Sequence, residues 1–194
     1  MRRGFKSEAE RLADHIRSTL GLRPGDPLDP DAVAGYLGAT IMAADQLVGA
    51  ERLEKLKTIQ EDAFSAVTFR LPDGRVIVVY NPQHSEGRVR SDLAHELSHL
   101  ILAHETRTIE VVAGRNLFTC NPEQEDEANW LAGCLLLPRP LVLTAARAGL
   151  TARELANQQG VSEAMARYRL HASGAVLQAR RGRGARAARS KVGE

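Results

Sequence analysis

The stretch Leu93-Ala94-His95-Glu96-Leu97-Ser98-His99-Leu100-Ile101 decides how this chain is read. Leu93, Leu97, Leu100 and Ile101 recur at helical spacing and form one apolar face. His95 and His99 stand i and i+4, about 40° apart on a helix of ~3.6 residues per turn, on the opposite face. Two imidazoles placed this way can bind one metal ion. Glu96 lies about 100° round from His95, beside such an ion, where a carboxylate can take a proton from a metal-activated water. A surface helix with two chance histidines is the plain alternative, and the H-E-x-x-H spacing argues against it.

A catalytic metal of this kind usually has three protein ligands, so a third is needed. The next acidic stretch is Glu123-Gln124-Glu125-Asp126-Glu127-Ala128-Asn129-Trp130, running on to Pro138. On a helical wheel Ala128, Asn129, Ala132 and Leu136 fall within about 60° of Glu125, which places Glu125 on a small, inward-facing stripe. Glu127 falls about 200° away and Asp126 about 100°. An inward carboxylate needs a partner, because an unpaired buried charge is costly, and a metal supplies one. The wheel favours Glu125 as third ligand, with Glu127 the alternative. Asn129 is one turn on, placed to hydrogen-bond a ligand from behind. Glu123, Asp126 and Glu127 read as an acidic first turn that favours the helix N-terminus.

Working outward, residues 7–20 read as an amphipathic helix on Ala9, Leu12, Ala13, Ile16 and Leu20, with Ser7 as N-cap and Glu10 three residues on. Asp29-Pro30 starts a second helix, Asp31 to Leu37, which Gly38 ends. Residues 39–43 suit a strand and residues 51–62 a charge-rich helix. Phe64–Leu71 and Val76–Tyr80 flank Pro72-Asp73-Gly74 and read as a β-hairpin. Helices are expected at about 88–105 and 123–137, with a loop or short strands between, and then helical chain as far as Gly174. Residues 151–170 read as a helix-turn-helix, with a Thr151/Glu154 capping box, Gly160 at the turn and Ser162 capping a second helix that bears Arg167 and Arg169. Direct DNA reading by that helix is possible but not favoured over a hairpin packed on the first domain. The expected organisation is a domain over 1–145, the helical extension over 146–176, and a basic, unstructured tail over 177–194.

The chain has 194 residues, 43% hydrophobic, 26% charged, with two cysteines. That excludes a disordered protein and a disulfide-stapled mini-domain. No apolar run reaches the ~18–20 residues of a membrane helix, and the start of the chain lacks a secretory signal. The expectation is a cytoplasmic protein with reduced thiols. The isoelectric point of about 8.7 is a tail effect. Residues 180–194 hold six of the 26 basic and one of the 24 acidic residues, which gives them +5 and leaves residues 1–179 at −3.

Residues 8–140 resemble the ImmA/IrrE family of zinc metallopeptidases. The specific stretches are IVVYNPQHSEGRVRSDLAHELSHLILAHE and EDEANWLAGCLLLPRP. They carry H-E-x-x-H followed by E-x-x-A-[ND]-x-x-A-x-x-L-L-x-P. The resemblance implies a gluzincin-like site with one Zn2+ on His95, His99 and Glu125, and Glu96 as catalytic acid/base. It implies cytoplasmic cleavage of a protein substrate, a DNA-binding helix-turn-helix repressor above all. Ser98 stands where the family often has glycine, and Leu131 where it often has phenylalanine; neither removes a ligand.

The fold class that follows is α+β. A small mixed sheet packs beside two active-site helices, and a C-terminal helical hairpin follows. The competing function is a catalytically silent DNA-binding or protein-binding regulator, against which the complete ligand set argues. Tyr80, Arg90 and His104 are candidate substrate-binding residues. Tyr80 reads equally as core, Arg90 as one half of an ion pair, and His104 as a helix-end histidine answering the dipole. His15, His84 and His171 read as surface. Cys134 reads as a small core residue. Ile77–Tyr80 is also a candidate edge strand for an extended peptide.

Overall fold

The computed structural model describes residues 1–49, 51, 65–104, 109–112, 115–118 and 121–181, with 109–112 and 115–118 given by their backbone. The charge-rich helix expected over 51–62, the residue Cys120 and the chain beyond 181 lie outside the described residues, apart from Glu51.

Helix α1 spans Phe5–Thr19 and starts two residues before the expected Ser7 cap. Gly4, at φ 86°, leads into it without a side-chain cap, and Ser7 lies within the first turn. Phe5 explains the shift. It is fully buried and continues the stripe of Ala9, Ala13 and Ile16. Burying a phenylalanine is worth about 1.5–3 kcal/mol, more than the ~1 kcal/mol of a serine cap. Helix α2, Pro30–Leu37, starts as expected: the Asp29 carboxylate accepts from Asp31 N–H at 3.1 Å, and Gly38 at φ 68° ends it.

Strand β1 (Ala39–Ala43) leads into the short helix α3 (Ala44–Val48). Strands β2 (Ala66–Arg70) and β3 (Val76–Tyr80) form the expected antiparallel hairpin. The sheet order is β1-β3-β2, with β1 parallel to β3. Strand β3 is therefore central, which corrects its expected place as an edge. Among the described residues β2 forms one edge of the sheet. Ile41, Val78 and Thr68 lie in register across the three strands and share a face. Val78 is fully buried on that face, within the main core.

Helix α4 spans Glu86–Ile101 and helix α5 spans Pro122–Leu136. Between them β4 (Ile109–Val112) pairs antiparallel with β5 (Arg115–Phe118). Asn121 caps α5, its side chain accepting from Glu123 N–H at 3.0 Å. Helix α5 is the buried centre of the molecule: Ala128, Leu131, Ala132, Cys134, Leu135, Leu136 and Leu137 are all at most 1% exposed. Its C-terminal carbonyls therefore have no water to bond, and an unmet carbonyl costs about 1–3 kcal/mol. Two buried arginines meet them. Arg17 Nη1 donates to the Leu135 carbonyl at 2.7 Å, and Arg169 Nε to the Leu137 carbonyl at 2.8 Å.

Pro138 separates α5 from α6 (Arg139–Ala148). Helices α7 (Ala152–Gln159, with the Thr151/Glu154 capping box) and α8 (Glu163–Ala172, capped by Ser162) follow. The chain stays helical over 175–181, where Ala175 and Ala179 are buried one turn apart. Packing thus extends past Gly174 and past residue 177, where an unstructured tail was expected. The α7–α8 hairpin is locked onto the two central helices. Ser162 N–H donates to Ser91 Oγ at 3.0 Å, and Arg90 Nη1 to the Gln159 carbonyl at 3.1 Å. Close approach needs glycine in α4 and leaves little room for a side chain in α5. A Cβ on Gly87 would fall 2.6 Å from the Val161 carbonyl oxygen, and one on Gly133 would fall 3.2 Å from Arg169 Cδ.

Candidate metal centre

Helix α4 presents His95 and His99, and α5 packs against it to present Glu125. His95 Nε2 lies 3.1 Å from His99 Nε2 and 3.1 Å from Glu125 Oε2, and His99 Nε2 lies 3.6 Å from Glu125 Oε1. One ligand atom from each residue lies within 4.8 Å of the others. A tetrahedral ion with ligands at about 2.0–2.1 Å needs ligand atoms about 3.3–3.4 Å apart. His95 Nε2 comes within a few tenths of an ångström of that length to both partners, while His99 Nε2 meets Glu125 through its other carboxylate oxygen at 3.6 Å, so the three residues form a candidate site for one metal ion. The side chains are about one-fifth exposed or less, half-open rather than sealed. Such access suits an ion that keeps an open position.

The orientation of the rings agrees. His95 Nδ1 lies 3.0 Å from Asn129 Oδ1. An amide oxygen only accepts, so Nδ1 carries the proton and Nε2 turns its lone pair toward the centre. Asn129 thus stands behind His95, where the wheel put it. Ser98 is fully buried, and its hydroxyl donates to the Ala94 carbonyl at 2.7 Å. A serine is accommodated there because the preceding turn of helix supplies its acceptor.

Glu96 is buried beside the cluster, and the Thr68 hydroxyl of β2 donates to its Oε2 at 2.7 Å. The sequence reading missed Thr68. Its only sequence signal is the strand alternation that puts it on the face of Val78, and the 28-residue separation from Glu96 hides the contact.

Glu127 is corrected as well. It is buried, not part of a solvated acidic turn, and its Oε1 accepts from the Arg2 backbone N–H at 3.1 Å. His104 does not answer the helix dipole from the surface. Its side chain is 7% exposed; its Nδ1 lies 3.0 Å from His99 Nδ1 and its Nε2 3.6 Å from Glu127 Oε2. Burial lowers the His104 pKa below its ordinary value, against the opposing pull of Glu127. His84, expected at the surface, is also buried, with Nδ1 3.4 Å from Asp92. Burial raises the Asp92 pKa, against His84 and Arg88. His15 and His171 are exposed, and Cys134 is a buried free thiol whose pKa burial pushes up.

Arg90 is partnered by the Gln159 carbonyl rather than by an expected carboxylate. Arg90 and Tyr80 line a cavity of about 450 Å3 with His84, Asp29 and Asp31; His95, His99 and Glu125 are not among its lining residues. A second groove, of about 470 Å3, meets the cluster at His95 alone. His95, Asn129, Asp92 and Asp126 line it, with Met165 and Tyr168 from α8. Of the two arginines on α8, Arg169 is fully buried against Glu10 and Trp130, away from any surface that DNA could reach. Arg167 is exposed and paired with Glu163.

An α+β scaffold that gathers H-E-x-x-H and a glutamate of the following long helix around one point defines a metallopeptidase-type domain. Residues 37–171 match the M78 peptidase family, described as the IrrE N-terminal-like domain, and the chain belongs to that family. The match runs from the end of α2 through α7 and nearly all of α8, so the hairpin falls within it. No curated protein and no solved structure matches the chain.

Proposed function

We propose that this protein is a zinc-dependent endopeptidase that cleaves a specific cytoplasmic protein, a helix-turn-helix repressor being the favoured substrate. The observation that carries the reading is that His95, His99 and Glu125 each bring a ligand atom within 4.8 Å of the others, with Glu96 next to His95 in the chain and its carboxylate held by Thr68. A zinc ion held there would polarise the scissile carbonyl and acidify the attacking water. Glu96 receives the proton of that water and passes it to the leaving amine. Thr68 holds one Glu96 oxygen and so fixes the direction of the other. Strand β2 supports the approach of substrate. Its outer edge is unpaired among the described residues, and an extended peptide added there would run past Thr68 toward Glu96. The α8 wall of the groove beside His95 supplies a second surface for selecting the substrate.

The test is metal content of the purified full chain, followed by incubation with a helix-turn-helix repressor encoded beside it. Wild type should hold about one zinc per chain and cut the repressor. Glu96→Gln should hold zinc equally and not cut. A wild type that binds no divalent metal, or equal cleavage by both proteins, overturns the proposal.

A further inference from the structure

We propose that His104 and Glu127 are positioning residues for His99, forming a relay, a hydrogen bond from His99 to His104 backed by the Glu127 carboxylate, that orients this imidazole toward the metal. The inference rests on the metal-centre reading above and assigns it a part that the H-E-x-x-H pattern does not contain.

The argument starts from how α4 ends. Leu102 N–H bonds to the Ser98 carbonyl at 3.0 Å, Ala103 N–H to the Leu100 carbonyl at 3.1 Å and His104 N–H to the His99 carbonyl at 3.0 Å. The last two are the paired 5→2 and 6→1 bonds of a Schellman ending, in which the residue after the left-handed one folds back over the helix. The left-handed residue is Ala103, at φ 50°, the only non-glycine with positive φ among the described residues. Glycine is the ordinary occupant of that position, so an alanine there is held by its surroundings. The fold-back brings position i+5 beside position i. That is why His104 meets His99 although a straight helix would set the two on different faces.

The contact is built for orientation. His99 Nε2 points at the centre, which leaves Nδ1–H to donate to His104 Nδ1 at 3.0 Å. His104 Nε2–H then faces Glu127 Oε2 at 3.6 Å. The two rings stand edge to face, with centroids 5.0 Å apart. Glu127 is held in turn by the Arg2 backbone N–H at 3.1 Å and Arg2 Nε at 3.6 Å. Both relay side chains are less than one-tenth exposed, which keeps water from replacing either contact. The two histidine ligands are thus steadied differently: His95 by the neutral Asn129 amide, His99 by an imidazole backed by a carboxylate. Each arrangement fixes the tautomer, and the carboxylate also makes His99 the stronger donor.

The test is zinc affinity of the full chain, measured by competition with a chromophoric chelator, beside the melting temperature of the metal-free protein. His104→Leu and Glu127→Gln should weaken zinc binding by about 10–100-fold. The visible spectrum of the cobalt-substituted protein should shift. His104→Gln, whose amide oxygen can accept from His99 Nδ1–H, should recover most of the affinity. Ala103→Gly should leave affinity within about twofold, because it relaxes the turn without removing the relay. If wild type binds zinc and His104→Leu binds it equally well, the relay is overturned while the metal centre stands. Should His104→Leu fail to fold, His104→Gln and Glu127→Gln decide the matter. Zinc binding that is unweakened in Glu127→Gln, or weakened in His104→Gln by as much as in Glu127→Gln, then overturns the relay. A wild type that binds no divalent metal overturns the metal centre itself.

Discussion

Replacing Gly87 with alanine should destabilise this protein, whereas the same replacement at Gly35 should stabilise it. Both glycines lie within helices, α4 and α2. Alanine is favoured over glycine in a helix by about 1 kcal/mol, so propensity gives the two changes one sign. The surroundings give them opposite signs. A methyl on Gly35 meets nothing within 4 Å. A methyl on Gly87 falls 2.6 Å from the Val161 carbonyl oxygen, where ordinary contact begins at 3.4 Å. The α7–α8 turn must then retreat by about 0.8 Å, since the obstacle is backbone and cannot rotate away. That retreat stretches the 3.0 Å bond from Ser162 N–H to Ser91 Oγ to about 3.8 Å, beyond bonding range. Overpacking costs about 1–3 kcal/mol and the lost bond about 1, against the ~1 kcal/mol from propensity. The net loss is about 1–3 kcal/mol, or roughly 2–12 °C in melting temperature for a chain of this size. Thermal denaturation of wild type, Gly87→Ala and Gly35→Ala in one buffer measures it. If Gly87→Ala melts at or above wild type, the hairpin is not clamped to α4 as described.

Three further outcomes follow from other contacts. Arg169→Met should lower stability by about 3 kcal/mol, since it leaves the buried Leu137 carbonyl and Glu10 without their donor; urea denaturation that shows less than about 1 kcal/mol would contradict this. Thr68→Val keeps the shape but removes the donor to Glu96, so kcat/KM for peptide cleavage should fall about tenfold with zinc affinity unchanged. Glu154 accepts from the Thr151 N–H and hydroxyl, which holds its pKa below the ordinary 4.5. A lowered carboxyl pKa gives stability that is complete above the ordinary value and is lost as pH falls through the folded one. The gap in melting temperature between wild type and Glu154→Gln should therefore be open at neutral pH and narrow as pH falls below 4.5 through the lowered folded-state pKa.

The parts of this protein that could be read from the chain are those set by neighbours a few residues apart. Helical spacing placed His95 and His99 on one face of α4, and the wheel of α5 singled out Glu125 and Asn129. Asp29-Pro30 and Gly38 bounded α2, and Pro72-Asp73-Gly74 marked the hairpin. Each is a local decision between a few backbone states, made by side chains in contact through the same turn.

What escaped the reading involves partners distant in sequence or a departure from regular geometry. Phe5 joined α1 because the core that α1 shares with the distant α5 accepts it, which no local cap foretells. Strand β3 became central because β1 pairs along its other side, and pairing order is not written in strand periodicity. Arg90 reads as half of an ion pair and Arg169 as a DNA-contacting charge, yet each meets a helix-end carbonyl that packing has removed from water. His104 and Glu127 sit at spacings that a straight helix would set apart. A left-handed Ala103 and the packing of α4 on α5 bring them together behind His99. The residues of the candidate metal site were thus legible from helical spacing. Their support was not, because burial decides which polar groups must find each other, and burial exists only once the helices have packed.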